Sequence, residues 1–209
     1  RQFKFGIHKF SNFLTTVRDA HHSIPAIRND VRAMVMDDLG AGTNLRAALN
    51  ELNRKLPQAG DGRTENARRV FLLLMTDGVE GNVYEKRTNG PQGLRFYGHW
   101  DPDTNFTLNE PGFWHGRERS QVIDSAMCET IKRKGVEILT LNTEYLTPPG
   151  SGDYRFQQIQ RMLVPEIRRT MEDCATNPQY AFNAATPSEI EAATRTMFKS
   201  IIETARLTH

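Results

Sequence analysis

The chain has 209 residues, of which 38% are hydrophobic and 25% charged, with 27 Lys and Arg against 25 Asp and Glu. That length suits one α/β domain, or two small ones, with room for one well-buried core, and the mix argues against general disorder. The two charge signs nearly cancel, so no bulk field points to nucleic acid, and no apolar run approaches the ~20 residues that cross a membrane.

The opening, Arg1-Gln-Phe-Lys-Phe-Gly-Ile, lacks an initiator Met and the pattern of a signal peptide, and it starts inside a strand-like segment. It reads as part of a longer protein. Residues 2–9 predict a short buried strand through Phe5 and Ile7, and residues 19–25 a weak one. Residues 28–36 predict a short helix. A clearer helix runs from about Asn44 to Leu56, where Leu45, Ala48, Leu49, Leu52 and Leu56 form one stripe before Pro57. A polar loop over 57–67 follows.

Val70 to Met75 is an unbroken apolar run that ends in Thr76-Asp77-Gly78. Such a run predicts a strand covered on both faces, as in a parallel sheet between helices. Residues 81–117 show no periodicity and predict a long irregular insert. Beyond it the pattern predicts a helix over 121–134, a strand over 136–141 and a loop over 146–155. A helix over 159–174 interrupted at Pro165, a strand over 180–184 and a helix after Thr186-Pro187-Ser188-Glu189 complete the chain. Strands alternating with helices predict a single doubly wound α/β domain over 1–209, a mostly parallel sheet with helices on both faces. Ligands in that architecture bind beyond the carboxyl ends of the strands, which makes Asp77 the first polar group to consider.

Gly40-Ala-Gly42-Thr43-Asn44-Leu45 precedes a helix, but Leu45 stands where a dinucleotide fingerprint needs its third Gly, and no Walker pattern occurs. Thr43 at a helix start and Asp77 at a strand end offer hard oxygen atoms of the kind that suit Mg²⁺ or Mn²⁺. Each also has an ordinary reading, as helix cap and turn residue. Cys128 and Cys174 lack C-x-x-C spacing and read either as two core thiols or as one disulfide.

Three segments together resemble the von Willebrand factor type A domain. They are Phe5-Gly-Ile-His-Lys-Phe10-Ser11, Gly42-Thr43-Asn44-Leu45 with Ala48-Leu49, and Phe71-Leu-Leu-Leu-Met-Thr76-Asp77-Gly78. The C-terminal half resembles the TadG-type pilus-assembly branch, through Cys128-Glu-Thr-Ile-Lys132 to Thr140, Cys174-Ala175, Tyr180-Ala-Phe182-Asn-Ala184 and Ile201 to Leu207. The resemblance implies a non-enzymatic adhesion or interaction domain with a metal-ion-dependent adhesion site. Thr43 and Asp77 match that site's later Thr and Asp. Its Asp-x-Ser-x-Ser element has no match, since Asp37-Asp38-Leu39 lacks the serines. The resemblance further implies Mg²⁺ or Mn²⁺, a protein partner from pilus assembly or the cell envelope, and a periplasmic or cell-surface location. Contact with a membrane is implied only through a segment outside this sequence. It favours a Cys128–Cys174 disulfide. It also places an absent first strand centrally, between the strands at 2–9 and 70–76, so that those two should lie unpaired across a gap. The rival readings are a structural domain with a degenerate site, or an enzyme. An enzyme would need a nucleophile–base pair or a phosphate loop, and the sequence offers neither.

The insert carries Tyr84, Phe96, Tyr97, Trp100, Phe106, Phe113 and Trp114. Tyr84, Tyr97, Trp100, Phe113 and Trp114 are candidate partner-binding residues, with a self-packed loop as the alternative. Asp101-Pro-Asp103-Thr-Asn105 opens like a calcium loop, but Phe106 and Gly112 occupy the positions of its turn Gly and closing Glu. His21, His22, His99 and His115 have no ligand-spaced partners and predict surface or capping roles. Lys132-Arg133-Lys134 fits the negative end of its own helix.

Overall fold

A computed structural model describes residues 3–11, 14–34, 43–64, 66–84, 112–115, 118–145 and 152–206. Its centre is a parallel three-stranded sheet in the order β3 (Phe71–Thr76), β7 (Glu137–Thr143), β8 (Ala181–Ala184). Alternation along these strands separates two apolar layers. Leu72, Leu74 and Ile138 face helices α2 (Leu45–Lys55), α3 (Ser125–Lys132) and α5 (Val164–Cys174). Phe71, Leu73, Leu139 and Leu141 face α6 (Pro187–Arg206) through Met197 and Ile201. The expected α/β sheet with helices on both faces is therefore present.

Polar side chains fix the helix ends. Asn44 Oδ1 accepts from Ala47 N at 3.0 Å and starts α2. At the other end Lys134 Nζ donates to the carbonyls of Asn53 and Leu56. Lys132 Nζ likewise donates to Asp173 O at 2.6 Å, near the end of α5. These lysines thus serve neighbouring helices, beyond the role the sequence suggested for them. Pro165 does not break its helix. The helical path runs from α4 (Tyr154–Gln158) through a wide turn (Ile159–Leu163) into α5, where Pro165 sits in the first turn and its missing N–H costs little.

Cys128 and Cys174 form a disulfide between α3 and α5, with Cα atoms 5.1 Å apart and both residues fully buried. The bridge favoured by the resemblance is present.

The sequence misplaced three elements. β2 (Leu14–His21) begins earlier than the weak strand expected at 19–25 and pairs antiparallel with β1 (Phe5–Phe10). Helix α1 (Ile24–Ala33) likewise starts and ends ahead of the expected 28–36. The expected irregular insert has ordered margins. β4 (Val79–Tyr84), β6 (Glu118–Val122) and β5 (Gly112–His115) form a second, antiparallel sheet in the order β4-β6-β5. Short strands pair by register with distant partners, and a periodicity window does not see those partners.

The Phe5 ring of β1 lies 6.0 Å from Phe198 of α6, while Ser11, just past the end of β1, accepts a hydrogen bond from Asn44 N at 2.8 Å. Among the described residues β1 pairs with β2 and forms no ladder with β3. Phe71, Leu72 and Leu73 are only half-buried, and Met75 is 39% exposed.

Candidate functional site

The carboxyl end of β3 turns sharply. Gly78 has φ of +75°, a conformation that suits glycine, and any side chain there would run into Ile167. Thr76 Oγ1 accepts from Gly78 N at 3.2 Å, and Asp77 Oδ1 accepts from Val79 N at 3.1 Å. The turn holds the Asp77 carboxylate half-buried at the sheet edge. Burial pushes its pKa up, against the opposing pull of its backbone hydrogen bonds.

Thr43 enters this edge from the other side. It precedes Asn44, the cap of α2, and its carbonyl accepts from Gly81 N of β4 at 3.1 Å. The start of α2 is thereby tied to the strand that leaves Asp77.

Below this tie lies a buried polar cluster that sequence reading missed. Glu80 Oε1 accepts from Arg46 N at 2.6 Å, and Oε2 accepts from Gln121 Nε2 at 2.9 Å. Arg46 pairs with Asp124 at 2.9 Å, and Asp124 caps α3 through Ala126 N. All four side chains are buried. Burial is the main reason the Glu80 pKa is raised, opposed by its hydrogen bonds to Gln121 and Arg46 and by the Arg46 charge. A signal was available: Glu80 follows the Thr-Asp-Gly turn by two residues, and Gln121 stands on the strand paired with it. The contacts themselves span 34 and 41 positions, so no local pattern carries them.

Tyr145, just past β7, completes the edge. Its phenol pKa is raised first by burial and then by the nearby charge of Asp77, while Arg155 pulls it down. The Tyr145 ring lies 6.2 Å from Phe156, and Gln160 Nε2 donates to Tyr145 O at 2.8 Å.

Of the two candidate ligands, Asp77 offers a desolvated carboxylate that accepts from backbone N–H groups, and Thr43 is tied to β4 through its carbonyl. Among the described residues, no three His, Cys, Asp or Glu side chains converge as a metal cage.

The other candidates divide. Tyr84 lies on β4, and Phe113 and Trp114 lie on β5, which puts both strands of the insert's margins in one antiparallel sheet. Tyr97 and Trp100 lie outside the described residues, as do the calcium-like segment at 101–105 and His99. His21 Nδ1 accepts from Ser23 N at 3.0 Å, a local surface role, whereas His22 Nδ1 donates to Phe3 O at 2.7 Å across 19 positions. No helix among the described residues is long and apolar enough to cross a membrane.

No protein-family model matches the sequence, and no curated protein matches it. Solved structures do match. The pilus adhesin SpaC from Lactobacillus rhamnosus GG superposes with a TM-score of 0.57 at 17% identity, over 95% of this chain and 25% of its own. The vWF domain of the type V pili tip protein Mfa5 from Porphyromonas gingivalis gives 0.54 at 13% identity, over 95% of this chain and 79% of its own. Proximal thread matrix protein 1 from the mussel byssus, with a zinc-occupied MIDAS motif, gives 0.51 at 14% identity, over 93% and 35%. The chain thus spans about a third of the mussel protein and a quarter of the adhesin. At these identities the likeness speaks for the fold alone, an α/β fold shared with the vWF domain of Mfa5.

Proposed function

We propose that this chain is a non-enzymatic protein-interaction domain of a TadG-like pilus-assembly or adhesion protein, working at the periplasmic or outer face of a bacterial envelope. Its working surface is the carboxyl edge of β3. The observation that carries the reading is the Asp77 carboxylate, held half-buried by the Gly78 turn beside the Thr43–Gly81 tie. A half-buried carboxylate with a raised pKa gains from a cation more than an exposed one does. The likeness to a protein with a zinc-occupied MIDAS motif and to pilus adhesins supports the same use.

Thr43 and Asp77 would hold Mg²⁺ or Mn²⁺ in part, and the bound ion would supply a Lewis-acidic position for an acidic side chain of a partner. The chain's own contribution is orientation. Gly78 aims Asp77, Glu80 anchors the start of α2 through Arg46 N, and Gly81 fixes Thr43. The aromatic insert margins at Tyr84, Phe113 and Trp114 would add partner contacts.

Calorimetric titration with MnCl₂ and MgCl₂ tests the reading. Saturable binding that Asp77→Asn weakens by about tenfold or more is expected, as for loss of a charged ligand. A wild-type chain that binds neither ion would favour the second reading, a structural domain with a degenerate site. That alternative draws on the lack of a three-carboxylate or histidine cage among the described residues.

A further inference from the structure

We propose that α1 is a membrane-surface helix, whose exposed apolar side chains and flanking arginines dock this domain on a bilayer of anionic lipid. The inference stands apart from the Asp77 edge and from whatever that edge binds. It starts from a face that the fold leaves open. Ile24 and Val31 are exposed, as is Met34 at the end of the helix, and no residue of α1 is buried. At about 3.6 residues per turn, Ile24, Ile27 and Val31 fall along one side of the helix, and Arg28 and Arg32 fall directly beside them.

Charge says what this face fits. Neither Arg28 nor Arg32 pairs with an acid among the described residues. The one acid of the helix, Asp30, is taken up on the side of β2, where Arg18 Nη2 donates to its Oδ1 at 2.9 Å. Across 3–34 five Lys and Arg stand against two Asp and no Glu, whereas the rest of the chain is balanced. The positive excess of the domain therefore sits on the region that also exposes the apolar stripe.

A bilayer interface asks for this order of side chains and for no matching groove. The aliphatic groups enter the boundary of the acyl chains, and the long arginine stems carry their charge back to the lipid phosphates. The helix is already made: Ser23 Oγ accepts from Ala26 N at 3.4 Å, and Pro25 sits in the first turn. Its ten residues extend about 15 Å, too short to cross a bilayer and long enough to lie in its surface.

Co-sedimentation at low salt tests this, with sucrose-loaded vesicles of phosphatidylcholine alone or mixed with anionic phosphatidylglycerol. The wild-type chain should bind the anionic vesicles about tenfold or more tightly than the neutral ones. Arg28→Gln with Arg32→Gln should weaken that binding by about tenfold or more, since each cation at such a surface carries about a fivefold factor. Ile24→Ser with Val31→Ser should weaken it by about tenfold through lost apolar burial, circular dichroism verifying the fold. Arg168→Gln with Arg195→Gln removes the same charge from α5 and α6 and should bind like wild type. A wild-type chain that sediments with neither vesicle overturns the proposal and leaves the face to an acidic protein surface. Equal losses in the two arginine pairs, or a serine pair that binds like wild type, overturn it as well, the first by pointing to net charge and the second by excluding insertion.

Discussion

The N-terminal hairpin with α1 and the C-terminal sheet with its helices are held by very different amounts of burial. Across the described residues of 3–34 not one is buried, whereas β7 is buried at every position except its ends. The contrast sharpens between the two central strands. β3 is the more apolar in sequence, yet Leu73 is only half-buried while its neighbour Leu139 is fully buried. Among the described residues β7 has strands on both sides and β3 on one. Burial in a sheet thus follows the number of neighbouring strands as much as the apolarity of the strand itself.

The largest expected effect comes from breaking the better-covered strand. Leu139→Ala should cost about 3–5 kcal/mol in urea denaturation, and Leu73→Ala clearly less, because a half-exposed site leaves a smaller cavity. Equal losses would show that β3 is as well covered as β7 and would remove the comparison. Opening the disulfide with Cys128→Ser and Cys174→Ser comes next. For a loop of 46 residues the chain-entropy model gives about 4 kcal/mol, and measured losses run about 2–5 kcal/mol. A loss well under 1 kcal/mol would mean that helix packing alone holds α3 against α5.

A smaller effect should depend on pH. The folded pKa of Glu80 is raised, so the folded state holds a proton over a range where the unfolded chain has released it. Stability attributable to this group should therefore fall as pH climbs from the ordinary glutamate value, about 4.3, to the raised one, and then level off. Asp77 contributes with the same sign. The difference between wild type and Glu80→Gln isolates Glu80, and thermal melts between pH 4.5 and 8 read it. A Glu80→Gln curve parallel to wild type would show that Glu80 is not what makes the cluster pH-dependent.

These contrasts also mark what the sequence made legible. The Val70–Met75 run, the α2 stripe and the Thr-Asp-Gly turn are local patterns, and they located β3, α2 and the turn at the end of β3. The β1–β2 hairpin was missed because Leu14–His21 mixes Thr, Arg and Asp into its alternation and is held by cross-strand register. The antiparallel sheet at the insert's margins was missed for the same reason. Asp77 could be named from its position at a strand end. Glu80 and Gln121 could not, because their hydrogen bond joins positions 41 residues apart.

The smallest expected effect lies on α1. Its Ile24 and Val31 share one face at a spacing of seven residues and are 50% and 52% exposed, and Met34 just beyond is 40% exposed. A stripe of that spacing normally marks a face packed on a core, but no residue of α1 is buried. Val31→Ala should therefore leave stability within about 0.5 kcal/mol of wild type. The apolar area lost is small, and alanine's better helix propensity offsets part of it. The Arg18–Asp30 ion pair that links β2 to α1 is too solvated to change that balance. A loss above about 1.5 kcal/mol on urea denaturation would instead show that this face is covered in solution. The contrast between the two ends of the chain would then reflect a missing neighbour and not a weaker packing code.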